Sequence, residues 1–95
     1  MKALFIALKA EYYDAFVTGE KFVEYRLDGP RWNERTCIPR RPVILSRGYG
    51  KKHRLLGEIL SSWAEPGDGL PDPKPFQGIY GIGKMARCIA IEVWD

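Results

Sequence analysis

A helical hydrophobic period is plain in one stretch of this chain, between Glu11 and Val17, while the remaining apolar residues come in short runs broken by glycine and proline. In that stretch Tyr12, Tyr13, Phe16 and Val17 fall at helical spacings, and Glu11 and Asp14 stand where the helix dipole favours acids. Gly19 then supplies a left-handed stop. A single short helix leaves the burial of apolar surface to strands, and 95 residues suffice for one core only. Hydrophobic residues at 45% and aromatic residues at 13% are ample for that core and unlike a disordered chain.

The strands follow from alternation and from their breaks. Lys2 to Leu8 reads as a buried first strand, and Pro42 to Leu45 and Leu55 to Trp63 as later ones. Phe22 to Leu27 places Phe22, Glu24 and Arg26 on one face and Val23, Tyr25 and Leu27 on the other. Met85 to Asp95 closes the chain with Ile89, Ile91 and Val93 on an aliphatic face and Cys88, Ala90, Glu92 and Trp94 opposite. Asp28 to Arg41 reads as a long loop. So does Glu65 to Pro75, whose four prolines and two glycines argue against regular structure. The expectation is a single α+β, mainly β domain over residues 1–95: a small curved sheet or barrel with one N-terminal helix and long loops.

Several function classes drop out. The apolar run Met1 to Leu8 is too short to span a bilayer and has no small-residue cleavage site, so a cytoplasmic protein without a membrane partner is expected. Cys37 and Cys88 are far apart and in no C-x-x-C pair, which predicts reduced, buried thiols and no metal site. Gly78-x-x-Gly81-x-Gly83-Lys84 has the wrong spacing for a phosphate loop, and Met85 stands where such a loop has Ser or Thr. It reads as a turn into the last strand. His53, the lone histidine, has basic neighbours that disfavour its protonated form. No cofactor is expected.

Charge is concentrated rather than spread. Between residues 31 and 54 stand eight Arg or Lys and one acid, a local excess of seven in a chain whose net charge is +3. A basic middle inside an acidic remainder suits phosphate attraction, or else a solvated loop face. Ser46, Arg47, Tyr49, Lys51 and Lys52 interleave cations with glycines and an aromatic ring, as where a backbone approaches phosphates and a base stacks, or in a solubilised hairpin turn. Arg31, Trp32 and Arg35 have a similar composition, and Trp32 is placed either to stack on a base or to cap one end of the barrel.

The sharpest signal is Gly19, Lys21, Glu24 and Arg26, a G-x-K-x-x-E-x-R pattern at the junction of the helix and the second strand. Gly19 releases the chain so that Lys21 emerges at the mouth of the strand, with Glu24 and Arg26 pointing the same way. An Arg fork there can take a phosphate or a base edge while Glu24 orients it or accepts from an amino group; an ion pair fixing the rim is the alternative.

With Tyr12 and Phe16 before it and Gly57-Glu58-Ile59 downstream, this pattern resembles the ASCH domain of the PUA-like superfamily, over roughly residues 4 to 62. The resemblance implies a PUA-like barrel whose cleft, between the helix-proximal strand and the basic turn, binds RNA or a modified nucleoside or nucleotide, with DNA as a further candidate. Lys21, Glu24, Arg26, Arg31, Trp32, Arg35, Ser46, Arg47, Tyr49, Lys51 and Lys52 are the candidate binding residues. Some similar proteins are enzymes, either ribonucleases or N4-acetylcytidine amidohydrolases. The amidohydrolases use the motif lysine, a threonine three residues on and a downstream glutamate, for which Glu58, Glu65 and Asp68 are the candidates in this sequence. Lys21 and Glu24 are the corresponding catalytic candidates, although Glu24 stands where the amidohydrolase has threonine. A lysine beside a glutamate also has its ammonium form favoured, the opposite of what a lysine nucleophile needs, unless burial counteracts it. A protein-interaction adaptor with a basic face is the third reading.

Overall fold

β-Branched residues alternating through the last segment put that strand at the heart of the sheet. The computed structural model describes residues 1–94 and runs β1 (Leu4–Leu8), α1 (Ala10–Thr18), β2 (Val23–Leu27), β3 (Pro42–Arg47), β4 (Arg54–Pro66), α2 (Pro73–Tyr80) and β5 (Met85–Val93). Strand order is β1-β3-β4-β5-β2, with β1 parallel to β3 and every other pairing antiparallel. β5 therefore pairs on both sides, and its residues are buried from Ala86 to Ile91. Ile89 and Ile91 join Ile6, Leu45 and Ile59 in the main core, while Ala86 and Cys88 point the other way into a second cluster with Leu70 and Phe76.

The sheet curls but does not close. β1 and β2 are the two ends of the strand order, so the expected barrel is present only as a half-barrel with a seam between them. A bulge between Ile59 and Ser61 interrupts the β4–β5 register, and bulges of this kind bend strands. α1 packs Tyr13 and Phe16 into the main core and ends as expected at Gly19, whose φ of 82° only glycine adopts cheaply.

A second helix corrects the reading of residues 65 to 75 as irregular. β4 continues to Pro66, a 3-10 turn spans Gly67–Gly69, and α2 begins at Pro73. Proline opposes a helix only where its missing N–H and its ring obstruct the preceding turn. Pro73 and Pro75 lie in the first turn, where no intrahelical donor is required. The glycine-containing segment read as a turn is also partly helical, since α2 takes in Gly78.

The long loop over residues 28 to 41 has no strand or helix, yet side-chain hydrogen bonds order it, among them Arg41 to the Thr36 carbonyl, Arg87 to Asp28 and a set made by Asn33. Asn33 donates from Nδ2 to the carbonyls of Gly29 and Pro30 and accepts at Oδ1 from the Arg35 and Thr36 amides. This network delivers Trp32 and Cys37 into the main core. Among the described residues, no helix is long and apolar enough to cross a membrane.

Two outcomes follow from packing. A Cβ at Gly57 would run into the backbone carbonyl of Glu92 across the sheet, whereas one at Gly69 meets nothing. Gly57→Ala should lower stability by about 1–3 kcal/mol and Gly69→Ala far less, measured by urea unfolding. Cys37 and Cys88 are both free and buried. Burial, then the neighbouring Glu65 carboxylate, pushes the Cys88 thiol up to about 12. Neither cysteine should react with iodoacetamide at pH 8 in the folded chain, and both should react in denaturant, as mass spectrometry would read.

Candidate functional site

The seam between β1 and β2 is where charged side chains collect. Glu24 is only 7% exposed, directed inward opposite Ile89 of β5. One of its oxygens, Oε2, accepts from both Nε and Nη2 of Arg26, each at 2.9 Å. Arg26 Nη2 also donates to the carbonyl of Ala7 at 2.6 Å, so one guanidinium ties the end strands together across the gap. The other Glu24 oxygen, Oε1, lies 3.6 Å from Lys21 Nζ.

Lys21 itself is enclosed by rings. Its ammonium stands 5.4 Å from the Tyr12 ring centre, 5.7 Å from that of Phe16 and 4.9 Å from that of Tyr25, within the range of cation–π attraction. Burial lowers its pKa below the usual 10.5, and Glu24 offsets only part of that shift. Desolvation, which favours the neutral amine, thus outweighs the pull of the neighbouring glutamate toward the ammonium. Burial likewise raises the Tyr12 and Tyr25 phenols.

These groups line a cavity of about 360 Å³. Lys21, Glu24 and Arg26 form its polar side, and Tyr12 and Tyr25 flank them. Opposite stand Pro75, Phe76, Ile79 and Tyr80 of α2, with the Phe76 and Tyr80 rings 4.8 Å apart. Ile79 is 60% exposed although it lines the cavity. Lys9 and Asp72, both exposed, complete the rim.

The structure therefore brings together Lys21, Glu24 and Arg26 and leaves the other candidates elsewhere. The wall facing the motif is α2, not the basic turn as the resemblance implied. Arg47 pairs with Asp14 on α1 at 3.3 Å, and Tyr49, 86% exposed, stands free with Lys51 and Lys52 on the turn. Ser46 is fully buried and its hydroxyl donates to the Gly50 carbonyl, so it shapes the turn rather than facing a ligand. Trp32, 8% exposed, is a core residue, with the guanidinium groups of Arg26 and Arg31 each 5.1 Å from its ring centre; stacking on a base is closed to it. Arg35 lies on a separate, shallower hollow with Asp28 and Arg87.

Sequence reasoning missed Lys9, Asp72 and the whole α2 wall. A signal was present: Phe76, Ile79 and Tyr80 repeat at three and four residues behind an Asp-Pro start. Among the described residues no group of three or more His, Cys, Asp or Glu is placed to hold a metal ion. No protein-family model, curated protein or solved structure matches the chain.

Lys21 also sets a pH signature. A folded-state pKa below 10.5 means that the unfolded chain holds more protons between the two values, so this residue makes stability rise with pH across that window. Lys21→Met should remove that rise, read as a smaller gain in melting temperature of the variant relative to the parent above neutral pH. Glu24→Gln, which leaves two cations facing each other without their carboxylate, should cost roughly 2–4 kcal/mol and drive the Lys21 pKa lower still, followed by NMR of the lysine ε-carbon.

Proposed function

We propose that this chain is an ASCH-type, PUA-like module that holds one nucleotide unit of RNA, or a modified nucleoside, in the seam cavity. The observation carrying this reading is the unequal use of the Glu24 carboxylate. Oε2 is saturated by two Arg26 donors, whereas Oε1 has only the Lys21 amine beside it at 3.6 Å. An acceptor and a donor side by side match a base edge that offers an amino group next to a ring acceptor. The cavity's volume is that of a small-molecule site, and its apolar and aromatic walls suit the faces of a flat ring.

A hydrolase reading has one observation in its favour. A lysine acts as base or nucleophile only when neutral, and burial moves Lys21 in that direction. Against it, the carboxylate nearest the amine is clamped by Arg26 and so is poorly placed to move a proton. Binding without turnover is the better fit.

Fluorescence anisotropy with a short single-stranded RNA at two salt concentrations tests the proposal. Binding should weaken with salt, and Lys21→Ala and Glu24→Gln should each reduce affinity roughly tenfold, the weight of one hydrogen bond to a charged group. Circular dichroism would establish that the variants fold. Unaltered affinity in both variants would remove the proposal. Incubation with N4-acetylcytidine and with labelled RNA should leave both unchanged; Lys21-dependent turnover of either would establish the hydrolase reading instead.

A further inference from the structure

The outer face of the sheet, on which α2 sits over part of β5, continues onto β1, β3 and β4 with apolar side chains that belong to neither core cluster. Strand alternation sends Leu4, Ile6, Val43, Leu45 and Ile59 into the main core, so Phe5, Ile44 and Leu56 point the opposite way. The register sets Phe5 opposite Ile44 and Ile44 opposite Leu56. The Trp94 amide donates to the Leu56 carbonyl at 2.8 Å, which carries the row on past the end of β5. Leu56 is 53% exposed and Trp94 44%, and Phe5 and Ile44 are only half-buried. Single exposed apolar residues are ordinary, but a row in register across four strands is a surface for something to cover. None of the four lines the cavity, so what covers this face is independent of what the cavity holds.

Charge flanks the row with opposite signs. On one side Glu58 and Glu92 stand directly opposite each other in the β4–β5 register, where like charges repel. Trp94 Nε1 donates to Glu58 at 3.3 Å and the exposed Arg40 lies 4.0 Å from it, while Glu92 has no ion-pair partner among the described residues. On the other side Arg54, two residues before Leu56, holds its guanidinium 5.3 Å from the Phe5 ring centre and likewise has no carboxylate partner among the described residues. A partner of a single charge sign, a nucleic acid included, would be repelled at one flank. A second copy of the chain matches both: a half-turn about an axis along the row lays apolar row on apolar row and exchanges the two flanks. Arg54 of each copy then meets the Glu58 and Glu92 pair of the other. Sheets stacked in this way lie about 10 Å apart with strand directions within about 30° of each other, a gap that an arginine and a glutamate reaching from opposite sides can close.

We infer that this face is the interface of a symmetric homodimer, packed sheet on sheet through Phe5, Ile44, Leu56 and Trp94, with Arg54 against Glu58 and Glu92 at both flanks. The apolar row by itself would accept the second copy either way round. The charges select the arrangement in which the strands of the two sheets run in opposite directions, because the other one sets arginine against arginine and glutamate against glutamate.

Sedimentation equilibrium of the full chain from about 1 to about 500 μM tests this, a range over which a modest interface passes from monomer to dimer. The mean mass should rise from 10.9 kDa toward twice that value and stop there. Leu56→Glu should remain monomeric throughout. Arg54→Glu and Glu92→Arg should each weaken self-association roughly tenfold, and an equimolar mixture of the two should recover it, since every charge pair in the mixed dimer is again of opposite sign. Circular dichroism would establish that these variants fold. A mass of 10.9 kDa at every concentration overturns the inference, and so does a dimer indifferent to both Leu56→Glu and Arg54→Glu. A mass that climbs beyond the dimer reports head-to-tail association and overturns the two-fold arrangement, and a mixture no tighter than either variant alone overturns the charge pairing that orients it.

Discussion

A half-closed sheet must hold its two free edges near each other without a ladder of backbone hydrogen bonds, and here that task falls to one ion cluster. Glu24 anchors it. The carboxylate fixes the Arg26 fork, and the fork reaches the Ala7 carbonyl on the far side of the seam. Lys21 joins the same carboxylate from the opposite side. Such a cluster is expensive to bury, and it persists because each charge has a partner: the carboxylate has its two cations, the guanidinium also lies by Trp32, and the ammonium lies among three rings. The cavity is the space this arrangement leaves between strands that approach without pairing.

The fold was legible in the sequence wherever one physical signal acted alone. The lone helix of the N-terminal third, its glycine stop and the alternation in the final strand all appear as read. Closure of the barrel was not legible, because pairing between β1 and β2 depends on sheet curvature and no local pattern encodes it. α2 escaped notice because proline content was weighed without regard to position, and two prolines at the front of a helix stabilise what they would break farther in.

The site divides along similar lines. Local geometry predicted that Lys21, Glu24 and Arg26 would converge, since a glycine turn followed by strand alternation fixes their directions. Charge density alone could not assign Arg31, Trp32, Arg35 and Ser46. Two sit against the core or inside it, one stacks on that core's tryptophan and one lies on another hollow. A buried serine near the end of β3 and an exposed lysine in the turn after it belong to one basic stretch of sequence and differ in what the backbone does between them.

The two walls of the cavity meet in the smaller apolar cluster. The charged side reaches the main core through Phe16 and Trp32 and the smaller cluster through Val23 and Tyr25, while the α2 side rests on that smaller cluster around Leu70, Phe76, Ala86 and Cys88. Ile79 and Pro75 line the cavity from exposed positions outside both clusters, so they can be exchanged with little loss of that packing. The fold keeps its polar chemistry on buried strand positions and part of its contour on exposed side chains, an arrangement under which sequence drift can reshape what the hollow admits while the anchoring charges stay put.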